Sequence, residues 1–112
     1  MSQTYFSFKQ FTIHHDKCAM KVGTDGVLLG AWVDVTSSKR ILDIGAGTGL
    51  ISLMLAQRSD AHIVGVEINQ AASEQAKENV LKSPWSHRID IVLSDINQYK
   101  SLQKFDTIVS NP

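Results

Sequence analysis

The sequence predicts an α/β domain built around a parallel sheet. Three observations carry that prediction. From Arg40 onward, short β-rich apolar runs alternate with longer stretches of helical period, the pattern of successive βαβ units. The first of these runs ends in a glycine-rich turn that opens directly into a helical stretch. The 112 residues, 43% hydrophobic and 20% charged, have the make-up of one globular domain rather than of a disordered or fibrous chain.

Taken in order, residues 1–39 differ in texture from the rest and form an N-terminal extension to a domain at 40–112. Phe6, Phe8, Phe11 and Ile13 fall two or three apart, mostly with period two, which suggests an extended or hairpin segment. Gly23, Gly26 and Gly30 then punctuate the stretch around Thr24-Asp25, predicting a turn into a short helix from about Asp25 to Trp32. Arg40 to Ile44 reads as the first strand of the sheet, and Leu50 to Gln57 as the helix leaving the glycine turn. His62 to Val66 is a second short buried strand. Asn69 to Lys82 is the second crossover helix, with Asn69 as N-cap and Ser83-Pro84 as its stop. Ile89 to Leu93 and Phe105 to Val109 complete four strands, joined by a short polar helix or loop around Ile96 to Leu102.

Charge and composition narrow the function classes. Eleven Lys and Arg balance eleven Asp and Glu, so no net positive field announces a nucleic-acid partner. Any RNA contact would come from a local patch or from other sequence. Lys9, Lys17, Lys21 and Arg40 are candidates for such a patch, although scattered basic residues usually belong to a solvated face. Cys18 is the single cysteine, which rules out an intrachain disulfide and a cysteine-based zinc site and suggests a reducing compartment. The N-terminus has no secretory pattern, and no apolar run reaches the roughly 18 residues of a membrane span, so a cytoplasmic location without membrane partners is expected. His14 and His15 read as surface or packing residues and receive no role.

Chemistry concentrates at the ends of the strands. Leu42-Asp43-Ile44-Gly45-Ala46-Gly47-Thr48-Gly49 lies between a strand and a helix, where glycine permits a tight turn and lets the backbone approach a ligand. Dinucleotide sites space their glycines as Gly-x-Gly-x-x-Gly to seat a pyrophosphate; here the third glycine comes one residue earlier, at Gly49. Asp43, just before the glycines, would repel a pyrophosphate but can accept hydrogen bonds from a cationic amino-acid moiety or hold the loop. The plainer reading of the stretch is a structural βα turn. Glu67 ends the second strand, 18 residues after Gly49, where a carboxylate accepts both hydrogen bonds of a ribose diol; alone it would be an ordinary solvated charge. Asp95 follows the third strand on the same carboxyl edge, able either to accept from an adenine amino group or to cap the following helix.

Together these pieces resemble the class I S-adenosylmethionine-dependent methyltransferases, whose fold is Rossmann-like. The first motif of that family is matched by Leu42 to Gly49, the second by Val64 to Glu67, and the third by Ser94-Asp95. Ile108-Val109-Ser110-Asn111-Pro112 is similar to the opening of the Asn-Pro-Pro-Tyr motif of the amino-methyltransferases, in which the Asn side chain and the following carbonyl accept hydrogen bonds from the target amine. A bare Asn-Pro is otherwise a turn signal. Phe8-Lys9-Gln10-Phe11, His15 to Gly26, Leu28 to Trp32 and Ser83-Pro84-Trp85 resemble the bacterial transfer-RNA adenine-N6 methyltransferases that act beside the anticodon of valine tRNA.

The resemblance implies S-adenosyl-L-methionine as cofactor, a tRNA substrate, direct methyl displacement onto adenine N6, and no metal. It implies cofactor contacts from Asp43, Gly45, Gly47, Gly49, Glu67 and Asp95, a cap over the methionine end from Lys21, Thr24 and Asp25, and a catalytic motif opening at Asn111 and Pro112. Guanine-N2 methylation of ribosomal RNA and glutamine-N5 methylation of protein share the Asn-Pro start, and the N-terminal match argues against both. A cofactor-binding module without catalysis is the alternative of another class, and a nicotinamide dehydrogenase is disfavoured by the glycine spacing. The chain is expected to be the N-terminal, cofactor-binding half of a longer enzyme, since the second proline and the aromatic residue of the motif are not in it. Its fourth strand would then be an exposed apolar edge prone to self-association, and the chain alone would be inactive.

Overall fold

The computed structural model describes residues 5–7, 12–14 and 29–110. β1 (Tyr5–Ser7) and β2 (Thr12–His14) form an antiparallel hairpin in which Tyr5 faces His14 and Ser7 faces Thr12, as the period-two pattern predicts. Residues 29–32 are helical, and the expected start of that helix near Asp25 lies outside the described residues. The main sheet contains β3 (Arg40–Ile44), β4 (His62–Glu67), β5 (Ile89–Leu93) and β6 (Thr107–Ser110). Its order is β5-β4-β3-β6, with every neighbouring pair parallel. Two helices, α1 (Leu50–Arg58) and α2 (Gln70–Leu81), make the crossovers between β3, β4 and β5.

Handedness then decides which face each connection covers. Right-handed crossovers that step in one direction along a sheet place their helices on one face; a connection that steps back must pass over the other. β3 to β4 to β5 steps one way, so α1 and α2 share a face. There Ile41, Ile63, Ile89 and Val109 pack with Leu50, Leu53, Leu55 and Ala56 of α1 and Val80 of α2. The return from β5 to β6 runs over the opposite face, where Ile96, Tyr99 and Phe105 lie on Leu42, Val64 and Val66. The strand order reverses between β3 and β6, the place where such sheets open a crevice at their carboxyl edge.

Local sequence explains most boundaries. α2 starts where predicted because the Asn69 side chain accepts the Ala72 N–H at 2.9 Å. It stops at Lys82 and Ser83, whose N–H groups bond back to the Glu78 and Val80 carbonyls. The fourth strand differs from expectation, beginning at Thr107 instead of Phe105 and running on to Ser110. Phe105, ahead of the strand, packs on the Leu42, Val64 and Val66 face with the Arg40 guanidinium over its ring, 5.1 Å from the centroid. Asp106 is held by the Lys39 N–H, which donates to its carboxylate at 2.7 Å, and by its own N–H, which donates to the Arg40 carbonyl. The anticipated helix or loop around 96–102 is a turn at 96–98 followed by irregular chain.

Candidate functional site

The glycine loop, residues 45–49, leaves β3 at the carboxyl edge with Gly45, Gly47 and Gly49 all in the left-handed region, at φ of 73°, 57° and 87°. Any other residue there would be strained, which is why the loop is spelled with three glycines. A Cβ on Gly45 would meet nothing within 4 Å, so the outer side of the loop is open. Its inner side is fixed to β4 and α2. The Gly45 and Ala46 N–H groups both donate to the Val66 carbonyl, at 2.8 and 3.1 Å. Gly65 allows this close seating, because a Cβ there would stand 3.0 Å from the Ala46 side chain and 2.9 Å from Ile91.

Glu67, the last residue of β4, ties the edge together. Its Oε1 accepts the Gly47 N–H at 2.8 Å and its Oε2 accepts the Asn69 N–H at 3.0 Å. Each carboxylate oxygen has two acceptor directions, so one on each has no bond from the described residues. Glu67 therefore both shapes the loop and presents acceptors beside it.

Asp43 stands behind the loop and not at its surface. Its side chain is 1% exposed, and its Oδ2 accepts the Ser52 Oγ–H at 2.7 Å. Gly49 is the N-cap of α1 and has no side chain to cap it, so Asp43 supplies the negative charge that the helix start otherwise lacks. Burial pushes its carboxyl up to about 6, partly offset by the Ser52 hydrogen bonds. The geometry ties Asp43 to the first turn of α1 through Ser52 and keeps it away from the outer side of the loop. Its Oδ1 is buried and has no hydrogen-bond partner among the described residues.

Beside the loop lies an open cleft of about 180 Å³ lined by Ile44, Gly45, Val66, Ile68, Ser94, Asp95 and Ile96. Full ligand pockets generally run to roughly 300 Å³ or more, so this cleft has room for one planar ring system and not for an entire cofactor. Asp95 caps a turn in place of the expected helix: its Oδ1 accepts the Asn97 N–H at 2.9 Å, and its carbonyl accepts from Gln98 and Tyr99. Its other oxygen has no hydrogen bond from the described residues.

The structure thus brings together the loop, Glu67 and Asp95 on one edge. β6 ends on that edge too, with Ser110 opposite Ile44. Lys21, Thr24, Asp25, Asn111 and Pro112 lie outside the described residues. Sequence reasoning missed Ile68 and Ile96. Ile68 is 68% exposed directly after the strand-end acid, and an isoleucine left in solvent at that position was the available signal. It also missed Ser52 and Asn79, whose roles depend on side-chain bonds to distant segments.

Comparison with known proteins adds the following. A family model described as methyltransferase small domain matches residues 18–112. A tRNA1(Val) (adenine(37)-N6)-methyltransferase from Bacteroides thetaiotaomicron is 65% identical over 100% of this chain and 48% of its own length. One of the same name from Actinobacillus succinogenes is 59% identical over 96% of this chain and 47% of its own. The chain spans about half the length of these curated relatives. A solved SAM-dependent methyltransferase from Thiobacillus denitrificans, in complex with S-adenosyl-L-homocysteine, superposes with a TM-score of 0.67 at 23% identity, covering 86% of this chain and 38% of that one. That likeness shows the fold, the Rossmann-like doubly wound sheet.

Proposed function

This chain belongs to the methyltransferase small domain family, and on that premise we propose that it forms the cofactor-binding half of an S-adenosylmethionine-dependent N-methyltransferase. The substrate in this reading is transfer RNA, methylated on the exocyclic N6 of adenine 37 of valine tRNA, the reaction named for the relatives at 65% and 59% identity. The observation that carries it is the meeting of three features at one sheet edge: a loop of three left-handed glycines, the Glu67 carboxylate bonded to it at 2.8 Å, and an apolar cleft bordered by Asp95. That set fits an adenosine bearing an amino-acid tail better than it fits a dinucleotide, because an anionic pyrophosphate at the loop would lie beside the Glu67 carboxylate.

Each residue has a task in this proposal. Glu67 accepts the ribose diol through its free acceptor directions. Ile68 and Ile96 sandwich the adenine ring, and the remaining oxygen of Asp95 accepts from its amino group. Gly45, Gly47 and Gly49 let the backbone approach the tail, and Asp43, bonded to Ser52, anchors the start of α1 behind them. Lys21, Thr24 and Asp25, in the extension at 1–39, cap the methionine end. Bound S-adenosylmethionine supplies a methyl group already activated by its sulfonium. Asn111 and the Pro112 carbonyl accept hydrogen bonds from the target amine and orient it in line with that methyl, a positioning contribution. No helix among the described residues is long and apolar enough to cross a membrane. The proposed place of action is the cytoplasm, with the RNA.

Calorimetric titration with S-adenosylhomocysteine tests the cofactor assignment. Micromolar binding that is indifferent to NADH and at least about tenfold weaker in Glu67→Ala, the effect of losing a charged hydrogen-bond acceptor, is the expected result. Tight NADH binding, or binding unchanged in Glu67→Ala, would overturn it. Methylation of valine tRNA by the full-length protein then tests the substrate.

A further inference from the structure

We infer that Asn79 is a positioning residue that couples the N-terminal hairpin to the glycine loop, so that docking of β2 sets the loop geometry on which cofactor affinity depends. The inference rests on the cofactor assignment proposed above and deepens it. Asn79 lies on the inner face of α2, 1% exposed, away from the ligand cleft.

Both N–H groups and one acceptor direction of its carboxamide are used. One N–H donates to the Thr48 carbonyl at 2.8 Å, the other to the His14 carbonyl at 2.9 Å, and its Oδ1 accepts the His14 N–H at 2.8 Å. A side-chain amide that takes both the N–H and the C=O of one residue does for β2 what a neighbouring strand would do. The same group reaches the loop one residue before Gly49. Gly49 itself rests on Ala76, whose Cβ lies 3.5 Å from where a Cβ on that glycine would stand. Ala76 and Asn79 are neighbours on one helix face, three residues apart. That face of α2 therefore grips the last two residues of the loop, while Val66 and Glu67 grip the first three.

The two grips differ in what they depend on. Val66 and Glu67 belong to β4 and hold the loop from within the sheet. The bond from Asn79 to Thr48 shares its donor group with the hairpin, so a shift of β2 is transmitted through one rigid planar amide to the Thr48 carbonyl. Serine, alanine or aspartate cannot replace it: none has two N–H donors with an adjacent acceptor.

The test uses Asn79→Ala and Asn79→Asp, with His14→Pro to remove the hairpin's N–H, and S-adenosylhomocysteine as the probe. Expected is a rise of about tenfold or more in Kd for either Asn79 variant, measured well below its unfolding temperature. His14→Pro should weaken binding too, and His14→Pro with Asn79→Ala should bind no worse than Asn79→Ala alone, since the path is already cut. Independent of any variant that fails to fold, amide exchange in the unmodified protein should slow on ligand addition at His14 as well as at the loop, with β5 amides unchanged. Lowered melting temperature with unchanged Kd, additive effects of the two substitutions, or no response at His14 would overturn the coupling while leaving the cofactor assignment intact. An unmodified protein that does not bind the probe would instead remove the assignment and the coupling with it.

Discussion

On the face covered by α1 and α2, Ile41, Leu53, Leu55 and Ile63 have no solvent exposure; on the face beneath residues 94–106, the covering side chains Ile96, Tyr99 and Phe105 all remain partly open. The strands are the same and their side chains merely alternate, so the contrast comes from the cover. A helix presents a continuous apolar stripe along a strand's whole length. An irregular segment touches down at separate points and leaves gaps between them. One of those gaps, between Ile68 and Ile96 at the carboxyl edge, is the candidate cleft. The less efficient cover leaves the candidate cleft open, and the better-packed face forms the main apolar core.

The comparison breaks most visibly if the two covers are equally important to stability. Leu53→Ala on the helix face should cost about 3–4 kcal/mol in urea unfolding, the usual range for a fully buried leucine. Phe105→Ala on the other face should cost only about 1–2 kcal/mol, since less of that ring leaves water on folding. Equal losses would mean that the irregular segment packs as well as a helix.

A charge sharpens it further. Asp43 is buried on the helix side, and its burial raises its carboxyl from 3.8 to about 6. Between those values the folded chain keeps a proton that the unfolded chain has released, so stability falls as pH rises through roughly 4 to 6. The contribution of this group should change by up to about 3 kcal/mol across that window and be absent in Asp43→Asn. Unfolding curves at several pH values for both proteins measure it; parallel pH dependences would show that the carboxyl titrates as in the unfolded chain.

The smallest effect on stability belongs to the cleft. Ile68→Ala, at 68% exposure, should alter stability by less than about 0.5 kcal/mol. On the proposed reading it should nonetheless weaken S-adenosylhomocysteine binding severalfold, since the side chain would then pack on the ligand's ring. Unchanged affinity would make Ile68 an incidental surface residue.

What the sequence made legible follows from the range of each interaction. β3 and β5 begin and end where their apolar runs do, and α2 begins at its own asparagine cap, because these signals are local. The glycine loop and Glu67 were legible for the same reason: their residue types and spacing stand in one βαβ unit. Asn79 was not, since its partners Thr48 and His14 lie 31 and 65 residues away and a long-range amide bond leaves no periodic trace. Ser52 serves Asp43 from inside a helix whose pattern looks merely apolar. β6 starts two residues later than its apolar run, and Phe105 instead meets Arg40, a partner 65 residues away.

The strand order also sets a sequence of events during folding. β3 pairs with β4 and β4 with β5, in each case the next strand in the chain, so these contacts close the shorter loops of the sheet. β6 must pair with β3 after the chain has passed through both other strands, the costliest closure in the sheet. The glycine loop, Glu67 and Asp95 thus belong to a unit assembled from near neighbours, whereas the strand that leads toward Asn111 docks last. A nascent chain would assemble the edge that carries the glycine loop and Glu67 before β6 is added to it.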